Sequence, residues 1–451
     1  MADRYASFAH TGPGRALVRR LGLPDPPRLH RYRPGDPLLP GPVRLASAPG
    51  GWLGGEITKV LANAGVELCE PAHRTPGERP QLNAALVFDA TGIDSVSGLD
   101  AVYDFLHPHL PDLYPSGRVL LLGAPPAAGG GPGAAAARRA LEGFVRSLAK
   151  ELVRGATAQL LQVEPGAEGN LESTLRFLLS ARSAYVTGQV IRVRPAPTVV
   201  PESWDQPLAQ KVAVVTGAAA GIGAATGAVL ARDGAQVVCV DLVSRVDALA
   251  TVANETGATA LPLDVAAPDA PQQLVAHLEA RYGRVDVLVH NAGISRYGLL
   301  AELDPAVWRG ILDVNLAAAQ RLTEAVLAAD LLRDGGRVIG LSSVNGIAGG
   351  TRGQTGYAAS KAGMLGLMEA LAAELGPHGI TANTVAPGFI QTPMMDRMPR
   401  GAREVARRLN TLAQAGQPVD VAETVAWLAS PASGGVNGEA VRVCGQHLYG
   451  V

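Results

Sequence analysis

The sequence is poor in cysteine, in aromatic residues and in net charge, and each shortage closes off a class of protein. Its three cysteines, Cys69, Cys239 and Cys444, lie far apart in 451 residues. An odd, scattered set offers neither a disulfide framework nor a zinc spacing, so no metal site is expected and a reducing compartment suits the chain. Aromatic residues make up 4% and charged residues 18%, with 39 basic side chains against 40 acidic ones for a net charge of −1. Such a balance provides no field for nucleic acid or an anionic membrane, and the expected partner is a small molecule. No apolar run approaches the roughly 20 residues of a membrane span. The start, Met1-Ala2-Asp3-Arg4-Tyr5, lacks the basic-then-apolar plan of a signal peptide. A cytoplasmic location is the matching expectation.

Hydrophobic residues are abundant, at 47%, and the chain is too long for one ordinary core, so two folded domains are expected. Residues 1–40 combine a short helical pattern, Arg15 to Leu21, with many prolines and read as an arm. From Val43 to about Arg194, short apolar runs alternate with helical stretches, the pattern of a parallel sheet covered by helices. The stretch from Arg194 to Pro207 holds four prolines after that arginine and no amphipathic period, which predicts an extended linker over 195–208. A second α/β region follows from 209 to 451.

The two halves repeat each other. Gly117-Arg118-Val119-Leu120 mirrors Gly336-Arg337-Val338-Ile339, Leu148 to Leu152 mirrors Leu371 to Leu375, and Pro165-Gly166 mirrors Pro387-Gly388. Set in register, Ala134 stands where the second half has Tyr357, Arg138 replaces Lys361, and Ala124 replaces Ser343. The first copy therefore has no proton donor, and Pro49 and Trp52 interrupt its glycine turn. A catalytically inert domain over 41–194 is expected.

Two groups of residues in the second half carry chemistry. Val212 to Val215 is a β-rich run, followed by Thr216-Gly217-Ala218-Ala219-Ala220-Gly221-Ile222-Gly223 and a helical stretch. Glycines in a strand-to-helix turn let a pyrophosphate reach backbone amides at the positive end of the helix. The next strand, Gln236 to Val240, ends in Asp241 before Leu242. A carboxylate there accepts from both ribose hydroxyls and repels a 2′-phosphate, which favours NAD(H) over NADP(H), with Arg245 close enough in sequence to soften the preference. Tyr357 and Lys361, four residues apart, share one helix face. A cation beside a phenol lowers its pKa from about 10, and Tyr357 becomes a general acid or base. Asn315, Ser342 and Ser343 lie upstream near strand ends.

Together these motifs resemble the short-chain dehydrogenase/reductase family, most closely its 3-oxoacyl-(acyl carrier protein) reductases, and the two-domain plan resembles their high-molecular-weight branch. The fold so implied is two tandem doubly wound Rossmann-like domains, the first degenerate and flavodoxin-like. By that resemblance Asn315 holds a helix irregularity, Ser343 orients the substrate carbonyl with Ser342 as the adjacent candidate, Tyr357 donates the proton, and Lys361 also binds the nicotinamide ribose. Asp264 and Val265 are placed beside the adenine, Asn291, Ala292 and Gly293 at the next strand end, and Pro387, Gly388, Ile390 and Thr392 over the nicotinamide. His290, where the family often has asparagine, reads as structural.

The resulting expectation is NAD(H)-dependent reduction of 3-oxoacyl thioesters, carried by coenzyme A or acyl carrier protein, to 3-hydroxyacyl thioesters. Two alternatives use the same residues: an NAD-dependent 3-hydroxyacyl-CoA or other secondary-alcohol dehydrogenase, and a nonenzymatic NAD-binding sensor or scaffold. Met394, Met395 and Met398 suggest an adaptable apolar entrance. Arg400, Arg403 and Arg407 share a helical face that reads either as a contact for carrier phosphates or as a solvated surface. Small residues along the Tyr357 helix, which forms a subunit interface in the family, imply a homodimer in which the first domain takes a place normally held by another subunit. The tail from Cys444 to Val451 is expected to reach a neighbouring site.

Overall fold

A computed structural model describes residues 3–69, 82–398 and 400–447. Among them lie two all-parallel sheets in an α/β chain. The first has five strands in sequential order, β1 (Val43–Ser47), β2 (Asn83–Asp89), β3 (Leu113–Gly123), β4 (Thr157–Val163) and β5 (Gln189–Val193). The second has seven: β6 (Val212–Thr216), β7 (Gln236–Asp241), β8 (Thr259–Pro262), β9 (Val285–His290), β10 (Leu332–Leu341), β11 (Thr381–Pro387) and β12 (Ala440–Val443), ordered β12-β11-β10-β9-β6-β7-β8. Tandem Rossmann-like architecture is thus what the chain adopts.

β-branched and leucine-rich runs make these strands, and helices cover both faces, so β2, β4, β6 and β11 are buried along their whole length. One core of the second sheet interleaves Val214, Val238, Leu288 and Val338 with Leu274, Leu322, Val326, Met364 and Met368 from helices. In the first, Leu86, Phe88, Val119 and Leu121 meet Phe105, Leu106, Leu141 and Val145. Each such side chain contributes roughly 1.5–3 kcal/mol on burial.

The chain divides into two compact units. One takes the chain through Ala196 together with Glu404–Ala415 and Gly445–Leu448; the other takes Pro197–Arg403, Gly416–Cys444 and Tyr449–Val451. Two short segments of the carboxyl-terminal half therefore group with the first unit. The proline-rich stretch belongs largely to the second, where Val199 N donates to Pro431 O at 3.4 Å and Leu208 N to Asp233 O at 2.9 Å.

Strand pairings repeat between the sheets: Arg118 faces Thr157 across β3 and β4, as Arg337 faces Thr381 across β10 and β11. Both arginines are buried and donate to matching carbonyls, Arg118 to Ser116 and Ser180, and Arg337 to Gly335 and Ser430. Gln159 donates to Val186 O, and Asn383 correspondingly to Val436 O. The helices after β3 and β10, Gly131–Glu151 and Thr355–Leu375, are each 21 residues long.

The differences are local. Among the described residues the first sheet ends at β1, which adds only an isolated parallel bridge from Val43 to Leu68, so it has no counterpart of β7 and β8. In the second sheet the order reverses at β6 and β9, and the crevice between their carboxyl ends is where ligands bind in such folds.

Candidate active site

A cavity of about 780 Å³ opens at that crevice. Its floor is the glycine turn. Gly217 (φ +69°) and Gly221 (φ +60°) take left-handed backbone, and a Cβ on Gly223 would lie 2.2 Å from the Gly217 carbonyl, so only glycine lets the helix Gly221–Arg232 start this close to β6. Asn291 fixes the turn from the next strand by donating through Nδ2 to Thr216 O at 2.8 Å and Gly217 O at 3.1 Å. Asp241 is buried at the far end, accepting from Ala219 N and Leu242 N at 2.8 Å each, with the Arg245 guanidinium 3.7 Å away. Leu242, Asp264 and Val265 line the same end.

At the other end stand Ser343, Tyr357 and Lys361. Ser342 Oγ donates to Lys361 O at 2.6 Å and is committed to the helix backbone. Ser343 caps the following short helix by accepting from Asn345 N at 3.2 Å, and its hydroxyl acts to lower the pKa of the Tyr357 phenol. Asn315 lies behind them on a single π-helical turn, Asp313–Ala317, a local widening of the kind found at functional sites. Its Oδ1 accepts from Ile294 N at 2.7 Å, and its Nδ2 donates to Ile294 O at 3.0 Å and Ser360 Oγ at 2.9 Å. A Cβ on Gly293 would sit 3.3 Å from both Asn315 Oδ1 and Lys361 Nζ, so that glycine lets the loop pass between them.

One expectation about this end is overturned. Lys361 Nζ donates to Leu341 O at 2.7 Å and lies 5.8 Å from the centre of the Tyr357 ring. Burial raises the Tyr357 pKa above its ordinary value, and the Ser343 hydrogen bond opposes that only in part. Burial also lowers Lys361 to about 8. Desolvation of the buried phenol outweighs the stabilisation that a nearby ammonium, here directed at a carbonyl, gives to a phenolate, so the net shift is upward.

Ala220, Ile222, Ala292, Pro387, Gly388, Ile390 and Thr392 also border the cavity, followed by Met394 and Met395, whereas Met398 is not among the lining residues. Arg403 and Arg407 do not form an exposed basic face: both are buried, and Arg407 pairs with Glu404 at 2.6 Å. The side chain of Arg400 and the last residues of the tail lie outside the described residues. His290 is buried behind the site with Nε2 2.7 Å from Thr323 Oγ1, and burial lowers its pKa to about 4, which leaves it neutral. Sequence reasoning missed the loop Ser295–Tyr297: Ser295 and Arg296 line the cavity, and the Tyr297 hydroxyl accepts from Gln354 Nε2 at 2.9 Å. Position just after Gly293 was the available signal.

The family described as enoyl-(acyl carrier protein) reductase, in the short-chain alcohol dehydrogenase class, matches residues 217–445. The chain belongs to the short-chain dehydrogenase/reductase family. It is similar to a 3-oxoacyl-[acyl-carrier-protein] reductase of Thermotoga maritima, 39% identical over 238 residues that cover 52% of this chain and 96% of the relative. A short-chain reductase of Streptomyces niveus is 42% identical over 248 residues, 52% of this chain and 93% of that protein. The (3R)-3-hydroxyacyl-CoA dehydrogenase of Mus musculus is 39% identical over 251 residues, 53% and 96%.

Members of this family use a nicotinamide dinucleotide, and the residues present fit one. The glycine cradle leaves no room for a Cβ at Gly223, helix amides face the turn, and a buried carboxyl stands at the end of the neighbouring strand. Among the described residues no helix is long and apolar enough to cross a membrane.

Proposed function

We propose that the protein reduces 3-oxoacyl thioesters of coenzyme A or acyl carrier protein to 3-hydroxyacyl thioesters, with NADH preferred over NADPH. The observation that carries this reading is a single cavity with a glycine cradle and Asp241 at one end and Ser343, Tyr357 and Lys361 at the other. The names of the Thermotoga and mouse relatives support the substrate class.

When bound, the dinucleotide supplies a hydride to the carbonyl carbon. Ser343 and Tyr357 then provide hydrogen bonds to the carbonyl oxygen that strengthen as negative charge develops there. A phenol held above its ordinary pKa keeps its proton at neutrality, which suits a group that must give it to an alkoxide. Lys361, 2.7 Å from Leu341 O, holds positive charge behind Tyr357 to stabilise the phenolate left after transfer. Asn315 fixes the Ile294 backbone and Ser360, and so the loop and helix between which the reacting carbonyl sits.

The reverse reading, oxidation of a 3-hydroxyacyl thioester, is favoured by one finding, the similarity to the mouse dehydrogenase. Both directions use the same residues, Tyr357 giving its proton in reduction and taking one in oxidation. Rates measured in both directions at one pH near neutrality separate the two, and faster alcohol oxidation would reverse the assignment.

NADH preference rests on Asp241, whose remaining lone pairs face the cavity end where the adenosine ribose fits. Substituting Asp241→Asn retains an acceptor for Ala219 N but removes repulsion of a 2′-phosphate. The NADH-to-NADPH ratio of kcat/KM is expected to fall at least about tenfold. A wild-type enzyme that already uses NADPH as well as NADH would contradict the assignment.

The first unit we read as catalytically inert, with the domain limits expected from the sequence. Asp89 occupies the position of Asn291, and the change from amide to carboxyl turns a donor into an acceptor. Buried Asp89 takes hydrogen bonds from Leu53 N at 2.8 Å, Gly54 N at 3.1 Å and Thr91 N at 3.1 Å. The anion position at the start of helix Gly54–Asn63 is thereby filled by the protein's own side chain. Arg138, at the Lys361 position, donates to Gly129 O at 2.7 Å. Assembly as a cytoplasmic homodimer completes the proposal, helix Thr355–Leu375 exposing the small residues Ala359, Ala362 and Gly366. Light scattering that gives a monomer or a tetramer would remove the dimer.

A further inference from the structure

Gln354 stands directly before the helix that carries Tyr357, at the position whose side chain ordinarily caps the first helical amides. It makes no such bond, yet it is buried. Its Oε1 instead accepts from Thr351 N at 3.1 Å, Thr351 Oγ1 at 2.8 Å and Asn345 Nδ2 at 3.1 Å. The backbone N–H of Thr351 can only donate, which identifies that atom as the oxygen and turns the amide nitrogen the other way. Nε2 donates to Tyr297 Oη at 2.9 Å. One side-chain amide therefore joins the loop after β9, the segment just past Ser343 and the turn that leads into helix Thr355–Leu375.

Each arm of this junction leads to the site. Tyr297 is 62% exposed, so burial of its ring contributes little and the bond to Gln354 is what fixes it. Beside it Gly298 N donates to Gly353 O at 3.0 Å, with Gly353 in the left-handed region at φ +85°, so the backbone of the same two stretches is tied as well. The residues just before Tyr297, Ser295 and Arg296, line the cavity, whereas Tyr297 and Gln354 are not among its described lining residues. On the other arm, Asn345 N donates to Ser343 Oγ at 3.2 Å. The amide that holds the loop thus also braces the residue that orients the serine hydroxyl.

We propose that Tyr297 is a positioning residue for the thioester, acting through Gln354: the pair holds the wall that Ser295 and Arg296 give to the cavity in a fixed relation to Ser343 and Tyr357. The inference rests on reading this cavity as the reductase site. Without the Tyr297 hydroxyl the loop keeps its backbone tie to Gly353 but samples other positions, and a smaller share of the protein is then ready to bind the thioester, which raises KM. Loss of the Gln354 amide removes the same tie and in addition frees Asn345 and Thr351, so the alignment of Ser343 and Tyr357 loosens and kcat falls too.

The test is a double-mutant cycle of Tyr297→Phe and Gln354→Leu in the full chain, read by steady-state kinetics with acetoacetyl-CoA, by calorimetry with NADH and by hydrogen exchange of peptides within 291–300. Tyr297→Phe is expected to raise the thioester KM about three- to tenfold while kcat and the NADH Kd stay within about twofold of wild type. Gln354→Leu should show the same rise in KM together with a fall in kcat of about tenfold, and adding Tyr297→Phe to it should change KM by less than about twofold, because the tie is already gone. Exchange in 295–300 should quicken in every variant while β9 stays protected. A Tyr297→Phe enzyme with unchanged KM and unchanged exchange, or KM effects that multiply in the double variant, would overturn the proposal. Should Gln354→Leu fail to fold, Tyr297→Phe, which alters one hydroxyl on an exposed ring, decides alone. If the wild-type protein reduced no 3-oxoacyl thioester, the functional reading would fall, and the exchange data would still decide whether Tyr297 holds the loop.

Discussion

Replacing Tyr357 with phenylalanine is expected to leave NADH binding within about threefold of wild type and to slow reduction of acetoacetyl-CoA by about 100- to 10,000-fold, the range for losing a positioned general acid. Phenylalanine keeps the ring in its place on helix Thr355–Leu375 and removes only the hydroxyl that shares the cavity with Ser343. A variant that retained most of its carbonyl reduction would dissociate Tyr357 from the chemistry. The pH profile of the wild-type enzyme gives the same assignment a second reading. Tyr357 sits above its ordinary value and Lys361 at about 8, so the lysine is the first of the two to lose its proton as pH rises. Reduction needs both protonated; its kcat should therefore be level below pH 8 and decline above it. A kcat that climbed through pH 8 would mean that deprotonation activates the enzyme, the opposite sign.

The second large effect falls in the first unit. Asp89→Ala removes the acceptor for three buried or half-buried backbone amides and the Thr91 hydroxyl, which donates to Oδ1 at 2.5 Å. Stranded donors each cost roughly 1–3 kcal/mol, and the substitution is expected to destabilise this unit by about 3–5 kcal/mol in denaturant unfolding followed by circular dichroism. Asp89→Asn should be milder, since one oxygen persists, and a loss below about 1 kcal/mol for Asp89→Ala would show that the carboxyl does not organise the turn. The same geometry predicts one NADH bound per chain by calorimetry. Two per chain would restore nucleotide binding to the first unit.

What the sequence made legible was chemistry set by neighbours along the chain. The glycine turn precedes its helix directly, and Tyr357 and Lys361 share a face because four residues make about one turn. The sheets were legible too, through β-branched runs whose repeated registers reappear as the Arg118 and Arg337 pairs. Relations across the fold were not. That Ser342 donates to Lys361 O, a partner 19 residues away, could not be read from its position beside Ser343. Acidification of Tyr357 by Lys361 was expected from their spacing, but the ammonium is held by Leu341 O, and burial acts on both groups. Arg403 and Arg407 were read as an exposed face from helical periodicity alone, which says which residues share a side and not what covers it. The role of Asp89 in the first copy's turn was not legible, since its amide partners Leu53 and Gly54 lie about 36 residues earlier.

The central claim is that one pocket in the second unit joins a nicotinamide dinucleotide to a 3-oxoacyl carbonyl with Tyr357 as proton donor. Its most direct test is reduction of acetoacetyl-CoA by NADH deuterated at both C4 positions, with mass spectrometry of the product. The account predicts 3-hydroxybutyryl-CoA carrying one deuterium at C3, formed by the wild type and nearly absent with Tyr357→Phe. Unlabelled product, or no consumption of the thioester by the wild type with either NADH or NADPH, would contradict it.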